Sequence, residues 1–276
     1  MAILKVVMLG DVVGEPGLKI LENRLPDFIN EHKPDFIMVN GENSANGFGL
    51  SEETAKRIFA SGADIISGGN HIWEKREVWP FLDSEKRVIR PANYPEGPGR
   101  GWINVKKEIM GKPVNFLAIN LQGRELLYSI DCPFKCFDSI FETQNTARHA
   151  SFPDSGYAPV ITVVDFHAES SREKEALAFY IDGRANVIAG THTHVQTADE
   201  KILPQGTAYI TDLGMTGEKN AVIGMDPQIC IDRVRNQVLY RMEIAANGNK
   251  ASVQGIIAEI DDESGKAVSI KRLDLT

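Results

Sequence analysis

The 276 residues are ordinary for a soluble globular protein, with 42% hydrophobic and 25% charged side chains, and suffice for one large domain with a sizeable core. A formal net charge of -8 argues against a basic stripe for long nucleic acids, so RNA binding is not indicated by charge. The chain has no apolar run of transmembrane length, and its first residues lack a signal-peptide pattern. Three cysteines, Cys132, Cys136 and Cys230, form no dense framework and read as reduced thiols, so a cytoplasmic protein is expected.

In chain order, Ile3 to Leu9 is apolar and β-branched and reads as a strand. Pro16 to Glu31 has helical spacing, with Leu18, Leu21, Leu25, Phe28 and Ile29 on one face. Phe36 to Val39 is a second strand, Glu52 to Ala60 a helix capped by Ser51, and Ala63 to Ile66 a third strand. This βαβαβ order implies parallel strands with right-handed crossovers. Trp102 to Met110 and Val114 to Ile119 flank Gly111-Lys112 as a hairpin. Residues 121 to 158 read as a helix plus a long loop, expected as a lid insertion over the site. Val160 to Val164, Ser171 to Ile181 and Val187 to Ala189 then read as strand, helix and strand. Val238 to Ala245 and Ser252 to Ile260 are expected to pair across a turn at Ala246-Asn247-Gly248-Asn249, with Ala267 to Leu273 as a last edge strand. One domain over 1–276 is expected, α/β in class. It would have two mixed sheets packed face to face with helices outside, a four-layer αββα sandwich.

Metal-ligand residue types follow the strands. Gly10-Asp11, Gly41-Glu42-Asn43, Gly68-Gly69-Asn70-His71, Asp165-Phe166-His167-Ala168-Glu169 and Gly190-Thr191-His192-Thr193-His194 each come just after or at the end of one. Loops at the carboxyl ends of parallel strands meet along one edge, so these five should converge. Carboxylate and imidazole together suit Fe, Mn or Zn. Each residue alone has a bland reading: Asp11 as a helix cap, Glu42-Asn43 as a polar turn, His167 as a satisfied histidine. In order, they support a dinuclear site. His32 and His149 read as surface residues, and Cys132 and Cys136 as thiols without a partner pair. Trp73, Trp79 and Phe81 read as core or interface rather than base-stacking groups. Gly47 and Gly49 read as a turn at the rim of the site.

These motifs resemble the calcineurin-like metallophosphoesterase signature. Two departures, Val13 in place of the first histidine and Glu42 in place of the bridging Asp, match its YmdB-like phosphodiesterase branch. So do 191–199, 210–217 and 222–226. The resemblance implies the calcineurin-like fold and two transition-metal ions. Asp11, Glu42, Asn43 and His194 would hold one ion. Glu42, Asn70, His167 and His192 would hold the other, and His71 would face the substrate as general acid or electrostatic clamp. It implies a hydrolase of small cyclic nucleotides (2′,3′-cyclic or 3′,5′-cyclic monophosphates), attacking with a hydroxide held between ions about 3.5–4 Å apart. A homo-oligomer acting on a small phosphodiester is expected. The alternatives are a phosphomonoesterase or nuclease on the same core, or a regulatory nucleotide- or RNA-binding protein with weak turnover.

Overall fold

The computed structural model describes residues 2–151, 160–245 and 250–276. Strand β1 (Ile3–Leu9) runs into the short β2 (Asp11–Val12), then helix α1 (Gly14–His32), β3 (Phe36–Asn40), α2 (Glu52–Ala60), β4 (Ile65–Ser67) and α3 (Trp79–Ser84). A hairpin of β5 (Trp102–Ile109) and β6 (Lys112–Gln122) leads to α4 (Pro133–Ser151), β7 (Val160–His167), α5 (Ser171–Tyr180) and β8 (Val187–Thr191). The remainder is β9 (Lys201–Ile202), β10 (Ala208–Ile210), β11 (Met215–Glu218), α6 (Pro227–Asn236), β12 (Ala251–Asp261) and β13 (Ala267–Leu275).

The strands form two mixed sheets. The first has the order β2-β11-β12-β1-β3-β4, with β13 also paired to β12, and the second has β5-β6-β7-β8-β10-β9. In the first, β1, β3 and β4 are parallel, while β12 is antiparallel to β1. In the second, β6, β7, β8 and β10 are parallel.

Alternation along the strands explains the layers. Val6, Met8, Phe36 and Met38 of the first sheet meet Phe116, Ala118, Ile161, Val163 and Ala189 of the second in one buried cluster. Phe36 and Phe116 stack there with ring centroids 4.6 Å apart. The opposite face of the first sheet, including Val7, Leu9 and Val39, is covered by Leu18, Leu21, Leu25 and Phe28 of α1 and Ile58 of α2. The opposite face of the second is covered by Phe137 and Ile140 of α4 and by Leu177 and Ala178 of α5. The result is the expected αββα sandwich. Ser51 caps α2 as read, its hydroxyl accepting from Thr54 N at 3.1 Å.

Two local expectations change. Among the described residues 238–245 contain no strand, only an isolated bridge from Ile244 to Met225. Strand β12 has both edges occupied, by β1 and β11 on one side and β13 on the other, so its hairpin partner is β13. The expected turn at 246–249 lies outside the described residues. Within 121–158, α4 packs in the outer helical layer, while 152–158 lie outside the described residues.

Candidate metal centre

Along the inward-facing rows, apolar side chains give way to polar ones as the parallel strands approach their carboxyl ends. Phe36, Met38 and Asn40 share a row, as do Val163, Asp165 and His167, and Phe116, Ala118, Asn120 and Gln122. The apolar core therefore ends in a buried polar cluster between the sheets, with Asn40, Asp165, His167, Asn120 and Gln122 all nearly inaccessible.

His167 Nε2 is the hub of one group. It lies 3.0 Å from Glu42 Oε1, 3.1 Å from Asn70 Oδ1 and 3.0 Å from His192 Nδ1. Among the described residues, Glu42, His167 and His192 each offer a ligand atom, and these atoms all lie within 4.8 Å of one another. Metal bonds of roughly 2.0–2.2 Å to nitrogen and oxygen place neighbouring donors about 3 Å apart, which is the spacing around His167 Nε2. Asp11, Asn43 and His194 form an adjoining group. His194 Nε2 is 3.1 Å from Asn43 Nδ2 and 3.8 Å from Asp11 Oδ1. A half-turn of the Asn43 amide, the same in shape, would present its oxygen instead. His192 N donates to Asp11 Oδ2 at 3.3 Å and so ties the groups together. All seven residues read as ligands are thus gathered at one edge, and His71 adjoins them, its backbone N–H donating to Glu42 Oε2 at 2.9 Å.

The donor set fits a cation. Asp11 Oδ1 and Glu42 Oε1 are buried carboxylate oxygens with no hydrogen-bond partner among the described residues, the approach of Glu42 Oε1 to His167 Nε2 lacking hydrogen-bond geometry. Such orphans are costly unless a cation or proton compensates them. Burial pushes the Asp11 carboxyl up. Burial would also raise Glu42, but the adjacent His167 outweighs it and holds the carboxyl at about 2. His167 is raised, against its own burial, to about 9 by Glu42. Burial, then the His167 charge, holds His192 down to about 3. Without an ion, one proton on His167 carries the positive charge that these donors require.

Outer partners set which ring nitrogen faces inward, the usual device of a metal site. His167 Nδ1 donates to Thr191 Oγ1 at 2.9 Å, and Thr191 in turn donates to Asp165 Oδ1 at 2.7 Å. His194 Nδ1 donates to the Ile223 carbonyl at 2.9 Å, and His192 Nε2 meets Glu169 Oε2 at 3.1 Å. His192 and His194 both hold positive φ, 98° and 63°. Non-glycine residues occupy that region only where their surroundings impose it. Here Asp212 does so, accepting from Thr193 N and Oγ1 at 3.3 and 2.8 Å while pairing with buried Lys174 at 2.7 Å. Gly69 leaves the space that the hub requires: a Cβ there would sit 2.3 Å from His167 Nε2 and 2.5 Å from Glu42 Oε2. His71 Nδ1 is 2.5 Å from Glu74 Oε1, and its side chain is 27% exposed, at the opening of the site.

Several bland readings are now decided. Asp11 is not a helix cap, since the α1 N-cap is Val13, without a side-chain bond. The Gly47–Gly49 turn spends its N–H groups internally, Gly47 N on Asn43 O and Ala45 N on Gly49 O. Trp73 and Phe81 pack against the first-sheet core, and Trp79 is 38% exposed. Sequence reasoning missed Asp165, Glu74, Glu169, Lys174 and Asp212 as partners of the site. For Asp165 a signal was present, two residues before His167 and therefore on the same strand face.

An αββα sandwich with carboxylate, amide and imidazole donors at the carboxyl ends of strands from both sheets is the calcineurin-like phosphoesterase fold. A family model described as YmdB-like protein matches residues 7–273, and the chain belongs to that family. A Bacillus subtilis protein named 2′,3′-cyclic-nucleotide 2′-phosphodiesterase is 42% identical over 271 residues, 98% of this chain and 96% of its own length. Two solved structures are also similar. A hypothetical protein from Thermus thermophilus has a TM-score of 0.83 at 34% identity, covering 99% of this chain and 100% of its own. A phosphatase from Mycoplasma pneumoniae has a TM-score of 0.87 at 28% identity, covering 100% and 94%. No helix among the described residues is long and apolar enough to cross a membrane.

Proposed function

We propose that this chain is a metal-dependent phosphodiesterase of small cyclic nucleotides, with 2′,3′-cyclic monophosphates as its preferred class. The observation that carries the reading is the pair of orphaned buried carboxylate oxygens, Asp11 Oδ1 and Glu42 Oε1, set among imidazole and amide donors. The name of the Bacillus subtilis relative supports the choice of substrate.

Asp11, Glu42, Asn43 and His194 would hold one ion, and Glu42, Asn70, His167 and His192 a second, with Glu42 shared. Bound ions would supply Lewis acidity, neutralising phosphoryl charge and making a water acidic enough to attack near neutral pH. The chain supplies the rest. Buried donors from both sheets hold the reacting group out of bulk water, where electrostatic interactions are stronger. His71 would give a proton to the departing ribose oxygen, with Glu74 at its Nδ1 fixing the tautomer. Water adds to phosphorus, the P–O2′ bond breaks, and a nucleoside 3′-monophosphate leaves.

Protein purified without chelators should carry about two equivalents of Fe, Mn or Zn and convert 2′,3′-cyclic AMP to 3′-AMP. Elemental analysis and chromatography of the products read both quantities. Activity without any transition metal would remove the metal centre. A metal-loaded chain inert toward cyclic nucleotides and bis-p-nitrophenyl phosphate alike would remove the reaction.

A further inference from the structure

Beside the metal centre, toward the β6 side of the second sheet, lies a polar element that the ligand set does not use. Gln122 is the last residue of β6, sits opposite His167 in the β6–β7 register and is fully buried. It occupies the same inward-facing row as Phe116, Ala118 and Asn120. Its Nε2 donates to the Tyr94 hydroxyl at 3.0 Å, and its Oε1 is buried with no partner among the described residues. The neighbouring Asn93 clamps the backbone of Gln122. Asn93 Nδ2 donates to Gln122 O, and Gln122 N donates to Asn93 Oδ1, both at 2.8 Å. Tyr94 is therefore held to the end of β6 by three hydrogen bonds through residues 93 and 122. On its other side Tyr94 meets Trp73, ring centroids 4.6 Å apart, in the loop that carries His71.

These contacts place Tyr94 between the His71 loop and the strand next to His167, and it is only half-buried. Burial, and after it the charge of Glu42, raises the phenol above its ordinary value against the Gln122 bond, so the hydroxyl keeps its proton. Because that oxygen already accepts from Gln122, its own proton is free to point elsewhere. The ligands come from the ends of β7 and β8, whereas Tyr94 is anchored to β6. It thus stands to one side of the metal donors, where a nucleoside joined to the reacting phosphoryl group would extend.

Resting on the cyclic-nucleotide reading above, we propose that Tyr94 is a specificity-determining residue that hydrogen-bonds the ribose of the substrate, its hydroxyl aimed by the Gln122 amide. A neutral phenol adds little to a phosphoryl group already facing cations. A site with a fixed hydroxyl donor does discriminate a sugar from a ligand that lacks one.

The test compares wild type with Tyr94→Phe on 2′,3′-cyclic AMP and on bis-p-nitrophenyl phosphate, which has no ribose. In the variant, kcat/KM should fall about tenfold more on cyclic AMP than on the ribose-free ester, the worth of one hydrogen bond, with metal content unchanged. Gln122→Met, which frees the hydroxyl to rotate, should shift the same ratio in the same direction by less. Parallel losses on both substrates, or no loss on either, would overturn the assignment of Tyr94 while leaving the proposed reaction intact. Wild type that hydrolyses bis-p-nitrophenyl phosphate but no cyclic nucleotide would instead overturn the substrate class, and this inference with it.

Discussion

At the scale of single residues, His71 and Glu74 carry the sharpest question of chemistry. His71 Nδ1 is committed to Glu74, and the backbone N–H of His71 is committed to Glu42, so its remaining ring nitrogen is the one left for a substrate. His71→Ala should retain the metals and lose kcat on cyclic nucleotides by about 10²–10⁴-fold, the usual worth of a general acid. The loss should be far smaller for p-nitrophenyl esters, whose leaving group barely needs a proton. Equal losses on both would assign His71 to positioning, and loss of metal would make it a ligand. All eight of these site residues were legible in the sequence, because each stands directly after an apolar run that reads as a strand or closes it. Their supporting partners were not. Glu74 and Glu169 are ordinary surface-type acids until the fold brings them to His71 and His192, and Asp212 reaches Thr193 only through space.

Elements of five or more apolar or alternating residues were legible, and the two-residue strands β2 and β9 were not, since so few residues carry no period. The misreading at 238–245 is instructive. Val238, Tyr240, Met242 and Ile244 alternate as a strand should, yet a strand needs an open edge, and β12 has none. Periodicity reports the face of a segment and is silent on whether a partner is free. Helix α5 shows the converse, a polar residue on a buried face. Lys174 and Asp212 are each about 1% exposed and pair at 2.7 Å, and Asp212 in turn holds the turn between His192 and His194. Lys174→Met would leave a buried carboxylate uncompensated. It should destabilise the protein by about 3–5 kcal/mol in urea unfolding. A change below about 1 kcal/mol would mean that water or another group replaces the ammonium.

For the whole molecule, the division of ligands between the sheets is the governing fact. Asp11, Glu42, Asn43 and Asn70 follow strands of the first sheet, whereas His167, His192 and His194 belong to the second. Ions bound here would join the two sheets, so metal affinity and fold stability should be linked. At free metal about 100 times Kd, a ligand specific to the folded state adds about 2.7 kcal/mol. Chelator-stripped protein should accordingly melt several degrees lower in calorimetry and recover on addition of Mn²⁺ or Zn²⁺. A melting temperature indifferent to metal would show that the donors do not share an ion across the sheets.

The pairing of β1 with β12 sets Ile3 opposite Asp261 and Leu9 opposite Gly255. One edge of the first strand to be synthesised thus waits for residues some 250 positions later. At about 5–20 residues per second, that apolar edge stays open for on the order of ten seconds or more on the ribosome. During that interval Asp11 and Glu42 have no imidazole opposite them, because His167, His192 and His194 are made later. Premature capture of an ion by the nascent chain is thereby disfavoured. The same order of events exposes the β1 edge to other nascent chains, and holdase chaperones should find their target there.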